Sequence, residues 1–195
     1  MTLAELKTLI QSYVENDETT FVATLDDMIL NAEERIFELI QFDYFRKNVT
    51  GNLTTANTYL TAPSDFVMSF SLAIIDTIPE YHYLDKKHAT FMREYNRDAI
   101  AESQRGKPLY YADFDKELST GTDNGSTLIV APIPDRDYTV ELHYLYKPIS
   151  LTSQTAGTWI SKNARNALLY GCLIEASTFM KSEPEMQVLY ESRFG

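Results

Sequence analysis

The chain has 195 residues, 28 acidic and 17 basic side chains, a formal net charge of -11, and 44% hydrophobic residues. That is enough for one sizeable core with room for an elaborated lobe, and the 12% aromatic content excludes a disordered chain. An acidic chain gains nothing from wrapping phosphate backbones, because affinity there comes from Lys and Arg, and a single cysteine, Cys172, excludes an internal disulfide and makes a reducing compartment the default.

Thr2 followed by Glu5 is a capping-box pair for a helix start. Leu3, Leu6, Leu9, Ile10, Tyr13 and Val14 then recur at helical spacing, with no basic segment of the kind that opens a signal peptide. A second, longer helix is predicted over about 21–41, with Val22, Leu25, Met28, Ile29, Ala32, Ile36, Leu39 and Ile40 on one face and most acids on the other. Residues 48–62 are Thr-rich, with Gly51 and Asn52 placed like a hairpin turn. Strands are expected at 59–62, 67–75 and 81–84, with Pro79 as a break and Asp85 as the N-cap of a short helix near 86–95. Residues 100–107 read as a loop, 109–112 and 127–131 as strands, and 119–126 as an exposed turn between them. Tyr138–Tyr146 is the strongest strand signal, with Tyr138, Val140, Leu142, Tyr144 and Tyr146 on one face. A third long helix is expected at 160–180, apolar over a wide arc, and a last one begins at Ser182-Glu183-Pro184-Glu185 and is still amphipathic at Phe194.

This order predicts an α+β fold. Helices from 1–43 and 158–195 form one helical bundle, and 44–157 forms an inserted, mainly antiparallel β lobe. No apolar run approaches the length of a membrane span.

The search for chemistry is mostly negative. His82, His88 and His143 do not fall at metal-ligand spacings, and Cys172 sits among apolar helix residues with no base in view. No glycine-rich phosphate loop exists, so neither a cofactor nor a metal is expected. The basic residues are scattered, which argues against nucleic-acid readout. Carboxylate pairs at Asp26-Asp27, Glu33-Glu34 and Asp113/Asp115 are most simply the wet surface of an acidic protein, although a glycosidase would also need such a pair across a cleft.

Two features are more specific. Residues 1–43 hold ten acids and two bases, a net -8, leaving only -3 for all the rest. That segment is either a solvated helix face or a wall that repels DNA so that DNA slides past it. Tyr110, Tyr111, Phe114, Tyr138, Tyr144 and Tyr146 crowd the second β region, where they serve either a sheet core or a protein interface.

Four segments carry a family resemblance. Tyr59-Leu60-Thr61-Ala62-Pro63-Ser64-Asp65-Phe66 resembles an "aPxDF" element, and Gly106-Lys107-Pro108-Leu109-Tyr110-Tyr111-Ala112 resembles a "G-x-P-x-Y-Y" strand. Residues 128–135 with Tyr138–Tyr146 are similar to an "l-x-P-x-P-d…Y-x-v-x-l-x-Y" hairpin. Thr158-Trp159-Ile160, Asn163 and residues 167–176 look like a closing helix. In this order they resemble the head-to-tail adaptor family of tailed bacteriophages (head-tail connector, tail tubular protein A-like, podovirus-like). The resemblance implies a non-enzymatic structural subunit of the virion neck, assembled in the bacterial host cytoplasm. Its partners would be further copies in a ring, usually dodecameric, the portal protein, a tail nozzle or tail tube protein, and double-stranded DNA passing through without sequence-specific binding. Asp26, Asp27, Glu33, Glu34 and Glu38 are then candidates to line the channel. Tyr110, Tyr111, Tyr138, Tyr144 and Tyr146 are candidates for subunit or tail interfaces, and Met186, Leu189, Tyr190 and Phe194 for the portal contact. Another neck or tail component, such as a tail terminator or connector, is the neighbouring alternative, and a virion-associated cell-wall hydrolase the more distant one.

Overall fold

A computed structural model describes residues 1–39, 44–75, 80–97, 102–118 and 124–194, without the side chains of 115–118, 124 and 125. The chain forms two compact units, Met1–Phe42 with Ile149–Gly195, and Asp43–Pro148.

The first unit is helical: α1 (Leu3–Val14), α2 (Thr19–Leu39), α4 (Trp159–Asn163), α5 (Arg165–Met180) and α6 (Pro184–Phe194). The Thr2 hydroxyl accepts from the Glu5 N–H, and the Glu5 carboxylate accepts from the Thr2 N–H at 2.9 Å, so α1 starts where its sequence signals it. Helix α5 is the centre, touched by α1, α2, α4 and α6. Central placement explains its wide apolar arc: Leu168, Leu169, Cys172, Leu173, Ile174 and Ala176 are all buried. α2 buries Phe21, Leu25, Met28, Ile29, Ala32 and Ile36 against it, each large side chain contributing about 1.5–3 kcal/mol of transfer free energy. The helices meet closely at Gly171, where an added Cβ would stand 3.1 Å from the Ala32 Cβ. The helix expected at 160–180 is broken in two at Ala164. Asn163 donates its side-chain amide to the Trp159 carbonyl, which competes with the regular backbone ladder at that turn.

The second unit holds β1 (Arg46–Leu53), β2 (Tyr59–Thr61), β3 (Phe66–Ile75), β4 (Tyr81–Tyr83), β5 (Asp85–Lys86), α3 (Ala89–Tyr95), β6 (Tyr110–Leu118), β7 (Asn124–Ala131) and β8 (Tyr138–Tyr146). They build two four-stranded sheets, β1-β8-β3-β4 and β2-β7-β6-β5, antiparallel except for the short β5–β6 pair. Leu53, Leu60, Leu72, Ile74, Tyr111, Leu128, Val130, Tyr138, Val140, Leu142 and Tyr144 belong to one buried cluster drawn from both sheets. β8 shows the expected alternation as far as Tyr144, with Tyr138, Val140, Leu142 and Tyr144 buried, whereas Leu145 is buried as well and Tyr146 only half-buried. Helix α3 puts Met92 on the other face of the second sheet, against Ala112, Ile129 and Ala131.

Three local expectations differ. Gly51 and Asn52 are not a turn: β1 runs through both, paired with Val140 and Thr139. The chain reverses at Thr54–Asn57, where Ala56 adopts φ 60°, the Ala56 N–H donates to the Pro134 carbonyl and the Thr55 N–H donates to the Asp137 carboxylate. Asp85 is not a helix cap. Its N–H donates to the Leu109 carbonyl and the Lys87 N–H to the Tyr111 carbonyl, so these residues join the sheet, and α3 starts at Ala89 under a His88 cap. The hairpin strands β6 and β7 extend into the expected turn, to Leu118 and from Asn124. Ile40 and Gln41 at the expected end of the second helix, Pro79 and residues 119–123 lie outside the described residues.

Candidate functional site

The acidic face of α2 is real but smaller than the sequence implies. Asp27, Glu34 and Glu38 are exposed and recur at i, i+7 and i+11, which places them on one stripe spanning about 16 Å along the helix. Asp26 flanks the stripe and pairs with Lys7 at 2.8 Å. Glu33 is turned inward and only 7% exposed. Its carboxylate accepts from the Leu151 N–H at 3.0 and 3.3 Å, and burial pushes its pKa above the ordinary value despite hydrogen bonds from Ser150 and Leu151. Glu33 is therefore a structural acceptor and does not face solvent in this chain.

The five candidate interface tyrosines divide in the same way. Tyr111, Tyr138 and Tyr144 are buried in the β unit, and Tyr110 and Tyr146 are half-buried. The hydroxyls of the buried three are all bonded within the unit. Tyr144 donates to Asp65 at 2.8 Å, Tyr138 to Asp135 at 2.6 Å, and Tyr111 to the Phe70 carbonyl at 3.3 Å. Asp65 also holds the Lys47 ammonium at 2.6 Å. The aspartate of the Pro63-Ser64-Asp65-Phe66 element thus anchors the last tyrosine of the Tyr138–Tyr144 pattern. The aspartate after Pro134 anchors the first.

The exposed aromatics lie elsewhere. Tyr81 and Tyr83 stack on each other on β4, Tyr83 being 68% exposed. Phe91, Tyr95 and Tyr110 form a three-ring cluster with centroids 5.2–5.9 Å apart. Sequence reasoning missed Tyr81, Tyr83, Phe91 and Tyr95 because only burial distinguishes them from core rings. In α6, Met186 and Leu189 are exposed as a contact surface requires, and Val188, at 65%, is more exposed than either. Tyr190 is buried near Tyr170, and Phe194 packs beside Gly171 beneath the Arg35 guanidinium.

One cluster has the residue types of a hydrolytic dyad. The Lys86 ammonium donates to the Ser69 hydroxyl at 2.8 Å, and both groups donate to the Asp113 carboxylate, at 2.7 and 2.6 Å. An ammonium ion-paired to a carboxylate has no lone pair to take the Ser69 proton, and Ser69 is itself buried. The cluster ties β3 of one sheet to β5 and β6 of the other. His88 caps α3, and among the described residues no group of three or more His, Cys, Asp or Glu could hold a metal ion. No described helix is long and apolar enough to cross a membrane.

No curated protein sequence matches the chain. A family model described as SU10 adaptor protein matches residues 1–195. That family is a structural one of bacteriophage head–tail adaptors rather than an enzyme family, consistent with the α+β fold and with the four sequence segments that carry the resemblance. With the whole length matched, the chain belongs to the SU10 adaptor protein family and is a structural adaptor of a bacteriophage virion.

Proposed function

We propose that the chain is one wedge of an adaptor ring, dodecameric in the usual form of such assemblies, seated between the portal and the tail nozzle or tube. The ring extends the DNA channel, retains the packaged genome and passes it at ejection. The whole-length family match carries this reading. The acid stripe Asp27, Glu34 and Glu38 supports it, since a conduit must repel DNA rather than grip it. In this reading the helical unit supplies the channel wall and, through Met186, Val188 and Leu189 of α6, the portal contact. Exposed rings of the β unit, Tyr81 and Tyr83 among them, supply further protein contacts. Assembly takes place in the bacterial host cytoplasm, onto a portal already in place.

Electron-microscopic class averaging of the chain alone and mixed with its cognate portal tests this. Rings formed on the portal, with the α2 face toward the lumen, are the expected result. A chain that remains monomeric and ignores the portal overturns the proposal.

A further inference from the structure

Helix α3 covers only part of one face of the second sheet. Met92 is fully buried there against Ala112, Ile129 and Ala131, and rings are left at both flanks of the helix. On one flank Phe91, Tyr95 and Tyr110 pack together, and the Lys87 ammonium stands 5.6 Å from the Tyr110 ring centroid. On the other, the Tyr59 and Phe114 rings meet at 5.7 Å, and the Arg93 guanidinium lies 4.8 Å from the Phe114 centroid. Tyr59, Phe91 and Tyr95 are all exposed. Exposed rings interleaved with guanidinium groups have the composition of an interface centre, where Tyr, Phe and Arg are enriched.

This patch is basic in an acidic chain. Residues 86–97 hold Lys86, Lys87, Arg93 and Arg97 against Glu94 alone, although the whole chain carries -11. Lys86 is committed to Asp113 at 2.7 Å, and Lys87 stands 3.7 Å from Asp85. Arg93 and Arg97 are exposed, and among the described residues neither is ion-paired to a carboxylate. The complement of this surface occurs at the turn between α1 and α2. Residues 13–22 contain Glu15, Asp17 and Glu18 and no base. All three acids are exposed, and among the described residues none is ion-paired; Asp17 accepts only from the neutral Gln11 amide, at 3.3 Å. The turn lies against the end of α5, where the Asn16 amide donates to the Met180 sulfur at 3.6 Å and the Phe21 and Phe179 rings are 6.0 Å apart. Tyr13 and Phe179, 50% and 47% exposed, give that end apolar surface of its own. Lys181, the C-cap of α5, is the one base of residues 177–182.

We propose that the α3 patch of one copy docks on the α1–α2 turn of the next copy, setting Arg93 and Arg97 against Glu15, Asp17 and Glu18, and the exposed rings around α3 against Tyr13 and Phe179. The two surfaces are different parts of one chain, so the contact is heterologous and propagates head to tail, as a ring requires. Opposite charge decides which surface meets which, since two α3 patches or two acidic turns would bring like charges together. The acid stripe of α2 is left to the channel wall. The inference rests on the adaptor-ring reading and assigns its subunit contact.

Charge reversal on the cognate portal tests it. The unaltered chain is expected to give complete rings. Arg93→Glu with Arg97→Glu, and separately Asp17→Lys with Glu18→Lys, are expected to lower ring occupancy by about tenfold or more with unchanged circular dichroism spectra, because each sets like charges face to face. All four substitutions in one chain restore opposite charges across the contact and are expected to restore rings. A fifth variant, Thr20→Cys with Glu94→Cys, is expected to be linked into a ladder of neighbouring copies by a short bis-maleimide, while either single cysteine gives none. Complete rings from either charge reversal, a folded four-residue variant that gives no rings, or rings of the two-cysteine variant that yield no ladder overturn this contact while leaving the adaptor reading intact. The cysteine pair keeps the test decisive should a reversed chain not fold. An unaltered chain that forms no ring on the portal overturns both.

Discussion

Glu33 is a buried carboxylate whose role follows from its hydrogen bonds, and substitution separates charge from acceptor. Its side chain holds the connector that follows β8: the Leu151 N–H donates to it, Leu151 is itself fully buried, and the connector is tied to the start of α1 by the Leu3 N–H donating to the Thr155 carbonyl. Glu33→Ala leaves the Leu151 N–H without its acceptor. An unsatisfied buried amide costs about 1–3 kcal/mol, and near 2 kcal/mol a chain of this length loses roughly 4–8 °C in Tm. Glu33→Gln keeps an oxygen at the same place and removes the charge that burial disfavours, so at pH 7 it is expected to match or exceed the natural chain, by up to about 1 kcal/mol.

The pH dependence has a definite sign. Burial raises the Glu33 pKa in the fold above its ordinary 4.5. The protonated carboxyl therefore favours the fold, and this contribution is complete below pH 4.5 and lost as pH rises through the higher folded value. The advantage of Gln over Glu is accordingly smallest below pH 4.5 and grows as pH rises through the folded value. Trp159, the only tryptophan, lies in the helical unit and reports its melting by fluorescence. If Glu33→Gln loses as much stability as Glu33→Ala at pH 7, the negative charge itself is required and the acceptor argument is refuted.

Three further outcomes are expected. Tyr144→Phe removes the donor to Asp65 and should cost about 1 kcal/mol at pH 7. Burial, and then that bond, push the Tyr144 pKa from 10.0 up to about 12, so this contribution should fade between pH 10 and 12, which alkaline melts of the two chains and tyrosinate absorbance at high pH will show. Cys172 is fully buried, and burial followed by the nearby Glu33 charge pushes its thiol pKa strongly up. It should ignore a disulfide reagent at pH 8 in the native chain and react within the dead time once unfolded. The triple variant Asp27→Asn, Glu34→Gln, Glu38→Gln should fold with stability within about 0.5 kcal/mol of the natural chain yet slow genome ejection from assembled particles. Unchanged ejection kinetics would remove α2 from the channel wall.

The sequence displays the elements whose signals are local. The Thr2–Glu5 cap, the alternation of Tyr138–Tyr144 and the proline-led start of α6 all appear as expected, because each depends on neighbours a few residues away. Where it misleads, a distant partner decides. Asp85 has the chemistry of a cap, but the backbone around it is taken by carbonyls of Leu109 and Tyr111. Gly51 and Asn52 have the chemistry of a turn, but β8 pairs with both. Glu33 and Glu34 are adjacent acids, but one residue of helix turn sets Glu33 beside the buried stripe of Ile29, Ala32 and Ile36 and Glu34 away from it, and the Leu151 N–H supplies the partner that Glu33 needs there.

The same division runs through the candidate sites, and it explains why the motifs identified the family better than they identified its surfaces. Asp65, Asp135, Tyr138 and Tyr144 stand out in the sequence because they satisfy one another: two buried phenols each need an acceptor, and the two aspartates supply it. Residues fixed by that requirement are committed to the β unit and cannot also reach a partner. A contact surface has the opposite requirement, since its groups must be unsatisfied within the chain. Met186, Val188 and Leu189 of α6 and the stacked Tyr81 and Tyr83 are exposed as it requires, and all fall outside the segments that carry the resemblance. In the proposed ring the exposed side chains of α6 and β4 are accordingly better candidates for contacts than the buried tyrosines of the motifs.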